Sequence, residues 1–203
     1  MSNEEIKIAL LGDTKVGKTS IISRYMEDSF NENYLPTFGA HYSEKIIKIN
    51  DTEVQLNLWD ISGQKKFRSK INNFYKDVYI VCLVYDITNL NSFNNLKNIW
   101  YQDLKDYGEK YTILAVFGNK SDLDKDEEVN EQDARDFAEE INAFFMLTSA
   151  KNNDRIDDLF ETLAKEYFNP KFTSSVIEME KKSSQFVTLN DVENDGCCKK
   201  ICC

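Results

Sequence analysis

The 203-residue chain has one histidine, His41, two prolines, and no run of eighteen apolar residues. A single histidine excludes a histidine-built metal centre and a serine–histidine–aspartate triad. Without a long apolar run, no helix is expected to cross a membrane. Basic residues are also scarce: 25 Lys and Arg stand against 35 Asp and Glu, a net charge of −10. Binding to a nucleic-acid backbone rests on lysines and arginines displacing counterions, so no nucleic-acid partner is expected. The opening MSNEEIKIALL carries acids where a secretory signal carries positive charge, and a cytosolic chain follows. Before Cys197 there is a single cysteine, Cys82, and the other four crowd into the closing DGCCKKICC. Thiols in the cytosol stay reduced, which argues against a disulfide framework.

What is present reads as one packed domain. IKIALLG is a short buried strand, with Ile6, Ile8 and Leu10 on one side, running into a glycine-containing loop. KTSIISRYM then looks helical. HYSEKIIKI and EVQLNLWD flank the turn-rich NDT as a hairpin. VYIVCLVYD is a continuous apolar run suited to a central parallel strand. After it, Phe93, Leu96, Trp100 and Leu104 share one helical face, and TILAVFGN is another buried strand. A helix from near Asn130 spaces Ala134, Phe137, Ala138 and Ile141 at i, i+3, i+4 and i+7. AFFMLTSA is the last strand; Ile156, Leu159, Phe160, Leu163 and Tyr167 are in phase on the last helix. Such alternation predicts an α/β fold: right-handed crossovers and a mostly parallel sheet covered on both faces. Pro170 is expected to end the final helix. The chain is therefore divided into one domain, residues 1–170, and a flexible tail, 171–203, whose polar residues keep no period.

Four stretches carry chemistry. Gly12-Asp13-Thr14-Lys15-Val16-Gly17-Lys18-Thr19 fits G-x-x-x-x-G-K-[ST] between a strand and a helix. Its glycines let the backbone wrap an anion, Lys18 neutralises the terminal phosphates, and the Thr19 hydroxyl coordinates Mg²⁺. In WDISGQ, Asp60 can hold Mg²⁺ through a water, Gly63 lets the backbone approach a γ-phosphate, and Gln64 can orient an attacking water. In GNKSD, Asp122 can accept from guanine's N1–H and 2-amino group, which adenine does not offer. Asn119 would tie the base to the phosphate loop, and the Lys120 stem would lie over the purine. In TSAK, a backbone N–H near Ala150 meets the guanine O6. Ser20, Ser149 and Lys151 are placed in the same site. Alone, D-x-x-G or N-K-x-D reads equally as a polar turn. In order, each after a strand, they specify GTP.

GDTKVGKTS, YLPTFG, WDISGQ, GNKSD and TSAK, occurring in that order over residues 5–169, resemble a Ras-superfamily small GTPase. FRS and VYDIT make the Rab branch the nearest likeness. The resemblance implies a P-loop NTPase G domain: a six-stranded sheet, one strand antiparallel, with about five helices. It makes Thr37 the threonine that reaches Mg²⁺ when a γ-phosphate is present, lays Tyr34 over the phosphates, and stacks Phe30 edge-on against the base. It makes Gln64 the catalytic residue of a slow GTP hydrolysis that switches two loops, near residues 31–42 and 61–75. The implied partners are an exchange factor, a GTPase-activating protein, effectors, a dissociation inhibitor and a prenylation escort protein, around a monomer. The branch also implies geranylgeranyl groups on Cys202 and Cys203. That places the chain on the cytoplasmic face of endomembranes, with a cytosolic pool, serving vesicle traffic. A C-a-a-X ending would need cysteine where Lys200 stands. The chain departs from the common DTAGQE at Ile61, Ser62 and Lys65, and carries Thr14 and Lys15 where smaller residues are usual. An alternative is therefore a GTP-binding scaffold that hardly turns over.

Overall fold

The structure, a computed structural model, describes residues 4–32, 35–64, 66, 78–108 and 112–170. Six strands form one sheet: β1 Glu4–Leu11, β2 Ala40–Ile49, β3 Thr52–Ile61, β4 Ile80–Asp86, β5 Ile113–Asn119 and β6 Phe144–Thr148. Their order is β2-β3-β1-β4-β5-β6. β2 runs antiparallel to β3, and every other pair is parallel. The expected sheet, with its one antiparallel strand, is the observed one. The hairpin turns on two residues, Asn50 and Asp51, at φ 46° and 66°. Asn and Asp tolerate that left-handed region, and a turn of this hand matches the twist of the strands.

Among the described residues the α-helices are α1 Lys18–Glu27, α2 Leu90–Asn95, α3 Tyr101–Tyr107, α4 Glu131–Glu140 and α5 Ile156–Tyr167. Asn89 caps α2, its side chain accepting from Ser92 N–H at 3.1 Å. Asn130 caps α4 by accepting from Gln132 N–H at 2.8 Å. A short 3₁₀ segment spans Ser121–Asp126.

All seven residues of β4 are buried, as a central strand covered on both faces must be. On one face Ala9, Leu11, Val81, Leu83 and Tyr85 pack with Phe93, Leu96, Trp100, Ala134 and Phe137. The alternating residues Ile8 and Leu10 turn to the other face, where α1 and α5 meet. There the rings of Tyr25 and Phe160 stack at 4.2 Å between centroids.

One local feature differs from the reading of the sequence. Phe93, Leu96, Trp100 and Leu104 are all buried, yet they do not lie on one continuous α-helix. Leu96–Trp100 wind as a π turn between α2 and α3. Apolar spacings of three and four suit both kinds of turn, so periodicity alone cannot tell them apart. The described residues up to Tyr167 form one compact unit. The expected tail, 171–203, with Cys202 and Cys203, lies outside the described residues, as do Tyr34 and Lys65.

Candidate nucleotide-binding site

The sheet reverses direction of growth at β1, with β3 on one side and β4 on the other. In open α/β sheets the crevice beyond the carboxyl ends of the strands at such a reversal is where ligands bind. Every sequence-selected motif falls there: residues 12–17 after β1, Asp60 at the end of β3, Asn119 at the end of β5, and Ser149 just after β6. Gly17 has φ 99°, and a Cβ on it would lie 2.1 Å from Asn119 Nδ2. Only glycine lets the phosphate loop and the base-side asparagine approach this closely. Gly63 is pressed onto the same loop, since its Cβ would come within 2.3 Å of Thr14 N. Thr14 and Lys15 are exposed and Val16 is buried beneath them.

Lys18 is 5% exposed and donates from Nζ to the carbonyls of Gly12 and Asp13, both at 2.8 Å. Burial lowers its pKa from the usual lysine value to about 8, although Asp60 and Asp13 pull the other way. The Asp13 carboxylate does not face the loop's interior. It accepts from the Trp100 indole N–H at 2.8 Å and from Asn95 Nδ2 at 2.7 Å. Asp13 therefore tethers the phosphate loop to the helix and π turn, leaving the loop's backbone to meet an anion.

The Thr19 and Thr37 hydroxyls stand 2.8 Å apart. Both reach Asp60 Oδ2, Thr19 at 2.5 Å and Thr37 at 3.1 Å. Asp60 is 2% exposed, and its Oδ1 has no partner among the described residues. A buried carboxylate oxygen left unpaired is costly, and a cation relieves that cost. Two hydroxyls and a carboxylate are hard oxygen donors of the kind Mg²⁺ takes, with waters and phosphate oxygens completing its shell. Among the described residues no cluster of three His, Cys, Asp or Glu exists.

At the base end lies a cavity of about 460 Å³, lined by Ser20, Phe30, Asn119, Lys120, Asp122, Ala150 and Lys151, with Lys15 and Gly17 at the phosphate side. Asn119 donates from Nδ2 to the Val16 carbonyl at 2.8 Å, and its Oδ1 accepts from Ala150 N–H at 3.3 Å. One amide thus joins three loops. Ser149 donates to Asp122 Oδ1 at 2.6 Å and fixes the carboxylate. Lys120, at φ 69°, pairs with Asp86 at 2.5 Å, which holds its ammonium at one end and leaves its stem along the cavity. Gln64 lies beside Thr37, its Nε2 3.5 Å from the Thr37 carbonyl.

Three residues in these contacts were not singled out from sequence, Arg24, Asp86 and Asn95, and a fourth, Trp100, was read only as core. Arg24 donates from Nε to the Ala150 carbonyl at 2.9 Å and from Nη2 to the Lys151 carbonyl at 3.0 Å. It thereby pins the base-side loop to α1, a job that suits the planar fork of a guanidinium. Nothing in RYMED marks Arg24 as more than a surface residue. Asp86 did have a signal, since it ends a buried strand as a lone acid.

A doubly wound sheet with a glycine-rich phosphate loop, a buried lysine and a threonine–aspartate oxygen cluster defines a P-loop nucleotide-binding domain. The Ras family model matches residues 7–169, and the chain belongs to that family. Within it the chain is a Rab-branch small GTPase. It is 42% identical over 160 residues to Ras-related protein Rab-22A of Mus musculus, covering 79% of this chain and 82% of that protein. The Homo sapiens Rab-22A matches over the same extent. Ras-related protein Rab-31 of Rattus norvegicus is 39% identical over 166 residues, covering 82% of this chain and 85% of its own.

Proposed function

We propose that the chain is a GTP-driven switch of membrane traffic: a G domain over residues 1–170 and a tail, 171–203, that tethers it to a bilayer. The observation that carries this reading is the Thr19–Thr37–Asp60 oxygen cluster with its orphaned Oδ1. It joins the phosphate loop, the segment before β2 and the end of β3 at one point. Magnesium, when bound, supplies positive charge between the phosphates and that cluster. Lys18 holds the terminal phosphates, Asp122 selects guanine, and Gly63 lets the loop after β3 rest against the phosphate loop. Gln64 orients the attacking water. Losing the γ-phosphate frees Thr37 and Gly63, and the loops relax into a shape that partners distinguish.

Among the described residues, no arginine lines either the base-side cavity or the pocket beside Thr19, Thr37 and Asp60. Alone, the protein should therefore turn over slowly, below about one cycle per minute, until a partner supplies one. The test is phosphate release from GTP with and without cell extract. Acceleration by extract identifies a switch served by an activating protein, and fast unaided turnover would overturn the proposal. The scaffold reading has one observation in its favour. Lys15 is an exposed cation on the phosphate loop that lines the cavity, and its charge would repel an arginine brought in by a partner. A rate that stays negligible in every extract selects that reading.

For the tail, we propose lipidation of Cys202 and Cys203. One chain binds a bilayer only marginally, and two anchor it stably. Lys199 and Lys200 add attraction to an anionic surface. Replacing both terminal cysteines by Ser should turn a membrane-bound tagged protein diffuse, and an unchanged distribution would refute this assignment. An exchange factor, a dissociation inhibitor, an escort protein for prenylation and effectors are the partners this cycle requires.

A further inference from the structure

We infer that Ser62 is a positioning residue of the switch, one that holds Thr37 at the metal-side oxygen cluster through its hydroxyl. The inference rests on the switch reading above and names the contact that tunes it. Ser62 follows β3 directly and is 1% exposed. Its N–H donates to the Gly39 carbonyl at 2.8 Å. This extends the β2–β3 ladder one step beyond the Ala40–Ile61 pair. Where the ladder ends, the side chain continues it: Ser62 Oγ donates to the Thr37 carbonyl at 2.7 Å. The same oxygen lies 3.4 Å from the N–H of Gln64, in position to accept from it.

Thr37 is thus gripped from two sides. Its hydroxyl meets Asp60 and Thr19, and its carbonyl meets Ser62. The neighbouring side chains give little help. Leu35 is 83% exposed and Phe38 72% exposed, so among the described residues neither side chain is a buried apolar anchor for this stretch. Where few bonds hold a segment, each weighs more in its equilibrium. The Ser62–Thr37 bond also uses no atom of a nucleotide. It contributes whenever the two loops are together, and so shifts the balance between ordered and relaxed loops for any bound nucleotide. Alanine, the residue common at this position in the family the chain resembles, would keep the N–H bond to Gly39 and lose the hydroxyl. One buried hydrogen bond of ordinary strength corresponds to about a threefold to tenfold shift in such an equilibrium.

The experiment uses the full chain loaded with Mg²⁺ and a non-hydrolysable guanosine triphosphate analogue. Phosphorus NMR reports the ratio of relaxed to ordered loops, and release of a fluorescent form of the same analogue gives a rate. Ser62→Ala should raise both by about threefold to tenfold. Thr37→Ala should raise the release rate as well, and adding Ser62→Ala should raise it further, because the main-chain carbonyl that Ser62 grips is still present in that variant. A Ser62→Ala protein within twofold of wild type on both measures overturns the inference. So does a release rate in the double variant no higher than that of Thr37→Ala alone. In either case a strong Thr37→Ala effect leaves the switch reading standing. If the wild-type protein fails to retain the guanine analogue at all, the switch reading fails first and this inference falls with it.

Discussion

Asp122→Ala should weaken GDP binding by roughly a hundredfold to ten-thousandfold in calorimetry and abolish the preference for guanine over adenine. The carboxylate lines the base-side cavity, and Ser149 donates to its Oδ1 at 2.6 Å. That contact sets the carboxylate plane and leaves Oδ2, with the remaining lone pair of Oδ1, for a ligand. Guanine presents N1–H and the 2-amino group side by side, two donors to one carboxylate. Each charge-assisted bond contributes about 1.5–3 kcal/mol, and roughly 3–6 kcal/mol together spans the stated range. Adenine presents no such pair, so the wild-type carboxylate would be desolvated against it without recompense. The variant removes both the reward and the penalty. ADP binding should therefore stay as weak as before or improve slightly. A variant that still binds GDP within tenfold of wild type would show that the base is read elsewhere.

Lys18→Met should act in opposite directions on two measurements. Nucleotide affinity should collapse, because a buried cation facing phosphates is worth roughly 2–5 kcal/mol when one partner is truncated. Stability of the nucleotide-free protein should hold or rise. Lys18 is 5% exposed, and burial lowers its pKa to about 8, which says that the fold disfavours its charge. Two backbone carbonyls compensate in part. A methionine of similar length removes the buried charge and its desolvation cost, while giving up the two hydrogen bonds to carbonyls. The lysine is thus held ready for a ligand at some expense to the fold. Melting of nucleotide-free wild type and variant, beside calorimetry with GTP, checks both signs. A variant that melts well below wild type would mean that Lys18 holds the empty loop together.

Much of this architecture was legible before any coordinates. The β4 run Ile80–Asp86 could only be a covered strand, because it offers no polar face. Asn130 announced the start of α4, because its side chain satisfies an N–H that the helix cannot. The phosphate loop was legible for the same local reason: glycines set the backbone path and a lysine sits one step inside the next helix. The six strand-like runs and the antiparallel hairpin were read from spacing; their union in one six-stranded sheet came from family likeness. The π turn at Leu96–Trp100 was invisible, because its apolar residues keep a helical rhythm.

The contacts that tune the site were out of reach for a different reason. Arg24 meets Ala150 across 126 positions of chain, Trp100 meets Asp13 across 87, and Ser62 meets Thr37 across 25. By itself the order of residues determined the strands, the helices and the groups able to face phosphate and guanine. Each of those depends on neighbours within a turn or a ladder. Only the tertiary structure decided which loop is pinned to which, because those bonds form between segments that meet when β1 is enclosed between β3 and β4.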